Sequence, residues 1–255
     1  QATGNVINFY YYKNVELTAK SKTETYNGNV QTVEGYTGAP ADADFSTITV
    51  SVSGTDAGTY DAKFADGTVN TVDAAGKYIV TKATNGKLTI NKRTVTLTSA
   101  SDHKQYDGTP LTNANVAVTG DGFVDGEVTG IKATGSVTHV AQNEVTNTIT
   151  YTEGANFKAS NYTITKNEGK LSITPIAIEL TAASDSKTYD GTALKVEGFK
   201  TLSFTVNDQI YTVSGLTASA EGTNVSDSKT VTVTGTPVVM DAAGNEVTDQ
   251  FTVTT

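Results

Sequence analysis

Few side chains in this sequence can do chemistry, and the context of each narrows what that chemistry could be. His103 and His139 are its two imidazoles, 36 residues apart. An imidazole can serve as a general base or a metal ligand near neutral pH. Neither has a nucleophile motif to serve, since Gly-x-Ser-x-Gly, His-Glu-x-x-His and a phosphate-binding glycine loop do not occur. Zero Cys excludes thiolate nucleophiles, disulfides and Cys-ligated zinc or iron–sulfur centres. Two acidic tracts, Asp42-Ala43-Asp44 and Asp121-Gly122-Phe123-Val124-Asp125-Gly126-Glu127, space carboxylates as calcium loops do. Neither follows the EF-hand pattern, and turn formation alone accounts for their Asp and Gly. Lys104 and Lys187 are candidate donors for a self-formed Lys–Asn isopeptide bond; a Thr–Gln ester is the related possibility. Such a bond needs an amide on a facing strand and a buried acid beside it. No catalytic residue, metal site or cofactor is expected, and the chain reads as a non-enzyme.

The remaining candidates are tyrosines. Tyr26, Tyr106 and Tyr189 each precede an Asn-Gly or Asp-Gly pair: Asn27-Gly28, Asp107-Gly108 and Asp190-Gly191. A ring in that position could stack on a sugar. The stronger expectation is structural: the ring packs on a core with its hydroxyl bonded to backbone. The absence of Trp also weighs against carbohydrate binding, which usually relies on large flat aromatic faces.

These motifs sit in a threefold repeat, which governs the whole fold. Val15-Glu16-Leu17-Thr18-Ala19, Val95-Thr96-Leu97-Thr98-Ser99 and Ile178-Glu179-Leu180-Thr181-Ala182 each lead after six residues into the tyrosine motif. The three Tyr are 80 and 83 residues apart. Lys104 and Lys187 stand two residues before their Tyr, whereas the first repeat has Glu24 there and its Lys at 22. Tyr78-Ile79-Val80-Thr81 followed by Gly86-Lys87-Leu88-Thr89-Ile90 closes the first repeat. Tyr162-Thr163-Ile164-Thr165 followed by Gly169-Lys170-Leu171-Ser172-Ile173 closes the second. Each pair reads as a hairpin. In the third repeat Phe251-Thr252-Val253-Thr254 matches the first arm, and the final strand is expected to be missing. The expected boundaries are 15–93, 94–175 and 176–255. Residues 1–14, with the apolar run Val6 to Tyr12, are expected to be the terminal strand of an upstream domain or a linker.

Composition agrees with strands. The chain holds 47 Thr and 27 Val, β-branched residues that suit a pleated sheet and are mediocre in helices. Apolar residues alternate with period two in Ile48–Val52, Val145–Tyr151 and Val231–Thr234, and Asp-Gly or Asn-Gly turns at 27–28, 66–67, 85–86, 107–108, 125–126 and 190–191 punctuate the chain. The expected fold is all-β: three tandem small antiparallel β-sandwiches of immunoglobulin-like type in an elongated array. A β-grasp-like repeat with one short helix, at Ala39–Phe45 or Ala155–Ser160, is the alternative. Very short joints at Asn91-Lys92-Arg93 and Thr174-Pro175 favour a semi-rigid rod on the order of 100 Å long. A net charge of −9 repels nucleic acid and anionic membranes, and no apolar run is long enough to span a bilayer. The expected state is a monomer without nucleic-acid or membrane partners.

The Lys-x-Tyr-Asp-Gly openings at Lys104–Gly108 and Lys187–Gly191, with the closing Asn161–Thr165 and Leu171–Pro175, resemble the tandem MBG/YDG-type repeats of bacterial surface adhesins. The resemblance covers about residues 15–255 and is sharpest in the second repeat. The first residues more weakly resemble the end of a mucin-binding-protein-type domain. The resemblance implies a Gram-positive, wall-anchored extracellular protein whose repeats form a stalk that holds a distal binding domain away from the cell. Direct binding of mucin or polysaccharide glycans is the alternative role. It carries over no catalytic residue.

Overall fold

A computed structural model describes residues 9, 11–227 and 229–255. The run from Val6 to Tyr12 therefore lies largely outside the described residues. Of that run, Phe9, Tyr11 and Tyr12 are described and exposed, and the first strand begins at Lys13.

The fold is all-β. No α-helix occurs among the described residues, and the helical segments found are three-residue 3₁₀ turns at Val140–Gln142, Ala159–Asn161 and Thr248–Gln250. The short helix of the β-grasp alternative has no counterpart: Ala39–Phe45 is turn and coil, and Ala155–Ser160 only enters the second 3₁₀ turn. Packing divides the chain into two compact units, residues 1–96, 118–130 and 151–165 in the first and 97–117, 131–150 and 166–255 in the second. Both thus draw on the second repeat segment.

In unit 1, strand Lys13–Ala19 lies between Tyr36–Thr37 and Tyr78–Thr84, and Gly86–Asn91 lies between Lys22–Thr25 and Gly58–Ala62. Gln31–Glu34 pairs separately with Ser51–Gly54. Alternation sends Val15, Leu17 and Ala19 inward and leaves Glu16 and Thr18 in solvent. Val15 and Leu17 meet Phe45, Tyr78 and Val80 in the core. Each such large apolar side chain contributes about 1.5–3 kcal/mol by leaving water.

In unit 2, Lys170–Thr174 lies between Asp102–Gln105 and Val145–Thr146, and Ile176–Glu179 pairs with Phe251–Thr254. The 14-residue strand Gln209–Gly222 pairs with Leu194–Glu197, Ser203–Val206 and Thr232–Met240. Its core gathers Tyr106, Val137, Leu171, Ile173, Leu180, Tyr211, Val213, Val239 and Phe251.

Two details depart from the sequence reading. The sheets are mixed: Lys13–Ala19 runs parallel to Tyr78–Thr84, Lys22–Thr25 to Gly86–Asn91, Asp102–Gln105 to Lys170–Thr174, and Ile176–Glu179 to Phe251–Thr254. The closing pair of the first repeat is also not a hairpin, because Tyr78–Thr84 and Gly86–Asn91 belong to different sheets. The chain changes sheet at Gly86 instead of folding back. It does so where its parallel partner also changes sheet, between Ala19 and Lys22. The two backbones nearly touch there, and a Cβ on Gly86 would lie 2.3 Å from the Lys20 carbonyl oxygen. Gly169 repeats the crossing in the second repeat, where a Cβ would lie 2.4 Å from the Ala100 oxygen. Only glycine permits this approach.

Gly169→Ala should therefore destabilise unit 2 by about 1–3 kcal/mol, the range for overpacking a closed site. Gly58→Ala, whose added carbon would meet its nearest neighbour at 3.9 Å, should change stability by less than about 0.5 kcal/mol. Chemical denaturation followed by circular dichroism compares the two.

Candidate functional site

The tyrosine motif is built from a charged turn outward. In the second repeat the Lys104 ammonium donates to Asp107 Oδ1 at 2.8 Å and to Thr109 Oγ1 at 2.6 Å. Asp107 Oδ1 also accepts the Thr109 backbone N–H at 2.9 Å, closing an Asx turn. The third repeat reproduces it: Lys187 reaches Asp190 at 2.9 Å and Thr192 at 2.5 Å, and Asp190 accepts the Thr192 N–H at 2.9 Å. Lys104 and the Thr109 hydroxyl hold the Asp107 carboxyl down at a pKa of about 2. The Thr192 hydroxyl and Lys187 lower Asp190 likewise. The first repeat makes a neutral version, in which Asn27 Oδ1 accepts the Asn29 N–H at 2.9 Å and Lys22 pairs with Glu24 instead. Gly28, Gly108 and Gly191 follow with φ of +80°, +77° and +79°, left-handed values that favour glycine. The lysines considered as cross-link donors are thus engaged in fixing the turn.

The turn sets where each tyrosine points. In unit 1, Tyr26 is 3% exposed and donates to Glu127 Oε1 at 2.5 Å. Tyr162 donates to the other oxygen of the same buried carboxylate at 2.7 Å, and its ring meets Tyr26 edge-on at 5.7 Å. Burial, reinforced by Glu127, raises the Tyr26 phenol. Phe123 and Phe157 complete the aromatic cluster around Tyr162. Arg93 donates to the carbonyls of Tyr26, Gly122 and Asp121.

In unit 2, Tyr106 is 6% exposed and meets Phe251 edge-on at 5.6 Å, in the same core cluster as Tyr211. Burial first, then the neighbouring Tyr211 phenol, push its pKa up to about 12. Asn207 Nδ2 donates to the Asp107 carbonyl at 3.3 Å. Tyr189 is different: it is 60% exposed.

A second pair of residues works with these tyrosines and escaped the sequence reading. Asn161 and Gln250 each end a 3₁₀ turn directly before a strand, and both are buried. Asn161 Oδ1 accepts the Ala57 N–H at 2.8 Å, and its amide donates to Asp56, which Lys158 also binds. Gln250 Oε1 accepts the Val140 N–H at 2.9 Å. Each amide thus reaches the repeat segment before its own, beside an aromatic residue, Tyr162 or Phe251. The available signal was the amide–aromatic step shared by the second and third repeats, where the first has Lys77-Tyr78. Glu127 gave no such signal.

The other candidates do not converge. Asp42 accepts from the Tyr78 hydroxyl and Lys77, Asp44 from the Ser46 N–H, and Asp121 from the Thr94 N–H and hydroxyl. Among the described residues no group of three or more His, Asp or Glu is placed to hold a metal ion. His103 is exposed, while the His139 ring stacks on Tyr106 at 6.3 Å, so the two imidazoles have separate surroundings. No helix among the described residues is long and apolar enough to cross a membrane. No protein-family model and no curated protein matches the chain.

Two outcomes follow. Asp107→Asn, which keeps the Asx turn as Asn27 does, should cost less than about 1 kcal/mol, because this solvent-screened ion pair is weak. Asp107→Ala, which loses both, should cost more. A carboxyl depressed from 3.8 to about 2 stabilises fully above the higher value and loses its effect as pH falls through the lower. The gap between wild type and Asp107→Asn should therefore close between pH 4 and 2 in acid-denaturation curves. Separately, Tyr26→Phe removes a hydrogen bond to a buried carboxylate and should cost about 1.5–3 kcal/mol. Tyr106→Phe removes a buried hydroxyl that neighbours the neutral Tyr211 phenol instead of a carboxylate and should cost less, about 0.5–1.5 kcal/mol, both read by urea denaturation.

Proposed function

We propose that this chain is a set of structural spacer modules from a bacterial cell-surface adhesin, exposed outside the cell wall and holding a binding domain away from it. One observation carries the reading: Tyr26 and Tyr106, the motif side chains best suited to grip a ligand, are buried against residues of the following repeat segment. The side-chain chemistry of the motif is used to join successive segments. Lys104, Asp107 and Thr109 fix the turn, and Asn161 and Gln250 fasten the far side of the joint. Such a chain needs neither a reacting group nor a cofactor, and a monomer suffices.

Small-angle scattering on the whole chain tests the spacer reading. A rod gives a radius of gyration well above the ~18 Å of a compact domain of this length, and a value near 18 Å rejects it. A glycan array and a mucin pull-down run beside it should show no binding above background. Saturable binding abolished by Tyr189→Ala would instead assign direct adhesion to the exposed ring.

A further inference from the structure

Two Asn-Gly pairs occur in the chain, Asn27-Gly28 and Asn85-Gly86. An asparagine before glycine is open to attack by its own backbone, because glycine has no side chain to shield its nitrogen. The fold places the two pairs in opposite settings. Asn27 and Gly28 are exposed at the tip of the tyrosine turn, and the Gly28 N–H has no hydrogen-bond partner among the described residues. The Asn27 side chain is held through Oδ1 alone, which accepts the Asn29 N–H. Gly86, by contrast, is buried in the ladder opposite Ala62 with the Lys20 carbonyl pressed against it. Asn85 Oδ1 accepts the Phe64 N–H at 3.1 Å, which ties that side chain to the neighbouring segment.

The turn also meets a different neighbour in each unit. In unit 1 a Cβ on Gly28 would lie 3.0 Å from Val124 and 3.7 Å from Glu127 Oε1, so the turn rests on the carboxylate that binds Tyr26. In unit 2 a Cβ on Gly108 would lie 3.8 Å from the Tyr211 hydroxyl, a neutral group. The turn residue follows its neighbour: neutral Asn27 stands beside the carboxylate, and charged Asp107 beside the phenol. Asp107 also has Lys104 at 2.8 Å, whereas Lys22 of the first repeat is paired with Glu24 at 2.8 Å. Asp56 and Asp125 line the same cleft as Asn27 and Glu127, and the lysine lining it, Lys158, is bound to Asp56 at 2.7 Å. A negative charge at position 27 therefore enters a place already rich in carboxylates.

We propose that Asn27 is a site of spontaneous covalent modification, in which a succinimide forms with Gly28 and opens to aspartate or isoaspartate, loosening the hold of Glu127 on Tyr26. The Gly28 backbone nitrogen attacks Asn27 Cγ and closes a five-membered ring. The Cγ–Nδ2 bond breaks, and ammonia leaves with the Gly28 amide proton. Water then adds to one of the two ring carbonyls. Opening at the side-chain carbonyl leaves aspartate, and opening at the main-chain carbonyl leaves isoaspartate, whose backbone is one carbon longer. Either product carries a carboxylate beside Glu127, and burial of Glu127 keeps that repulsion from being fully screened. Isoaspartate also lengthens the turn that aims Tyr26. The site is independent of the spacer reading, since it needs only the turn and its neighbours.

The test incubates the whole chain in warm, mildly alkaline buffer and follows its tryptic peptides by mass spectrometry. Cleavage after lysine puts Asn27 in residues 23–63 and Asn85 in residues 83–87. The expected result is a gain of one dalton at Asn27 at least about tenfold faster than at Asn85, with electron-transfer fragmentation resolving the two isomers. In urea the two sites should convert at similar rates. The effect on the joint is read with Asn27→Asp, which should lower the urea midpoint of the wild type and leave that of Glu127→Gln unchanged. The proposal is overturned if Asn27 converts no faster than Asn85 in the folded chain, or if the difference persists in urea. It is also overturned if Asn27→Asp leaves the wild-type midpoint unchanged, or lowers it equally in the Glu127→Gln background.

Discussion

The fold rests on pairing strands that are far apart in sequence and run the same way. Glu16 faces Lys82 and Ile176 faces Phe251, so the ends of a segment must meet before either can bury its apolar face. A parallel ladder cannot be closed by a tight turn, and the intervening chain must cross over. Here the crossover is made by further strands, and the other features accommodate it. Gly86 and Gly169 let two backbones cross at the change of sheet, and the Leu and Ile beyond them enter the middle of a second sheet. Closing such long loops costs entropy that only the completed core returns.

The joints extend the same logic. A small β-unit buries too little surface to be very stable alone, so contact with a neighbour is worth having. Unit 1 uses a carboxylate, Glu127, shared by two phenols, and unit 2 uses an aromatic cluster in which Tyr106 and Tyr211 both meet Phe251 edge-on. The chemistry differs while the amide beside each, Asn161 or Gln250, plays one part. The position of the turn is therefore kept more strictly than the identity of the group that receives the tyrosine.

Much of this was legible in the residues. Period-two alternation identified the buried faces, as in Val15, Leu17 and Ala19, and Asp-Gly placed the motif turns. Alternation carries no information on strand direction, so the mixed sheets were not legible. Thr84-Asn85-Gly86 has the composition of a hairpin turn, and what overrides it is the partner at Lys20, 66 residues earlier. Burial of Tyr26 and Tyr106 followed from ring and turn chemistry. Their receptors did not, because Glu127 looks like any acidic turn residue and Asn161 like any polar one. Tyr189 shares the Lys-x-Tyr-Asp-Gly-Thr motif with Tyr106 and has a different environment, so its exposure is a property of its surroundings.

The parallel arrangement of Ile176–Glu179 with Phe251–Thr254 also has a mechanical consequence. A pull that draws the start of the first strand away from the end of the second moves the two along their length in opposite directions. The ladder from Ile176–Phe251 to Glu179–Thr254 is then loaded in shear, with its hydrogen bonds sharing the force, whereas an antiparallel hairpin pulled at its open end would yield one bond at a time. Resistance to traction is thus a consequence of strand direction, and would survive substitutions that leave that direction unchanged.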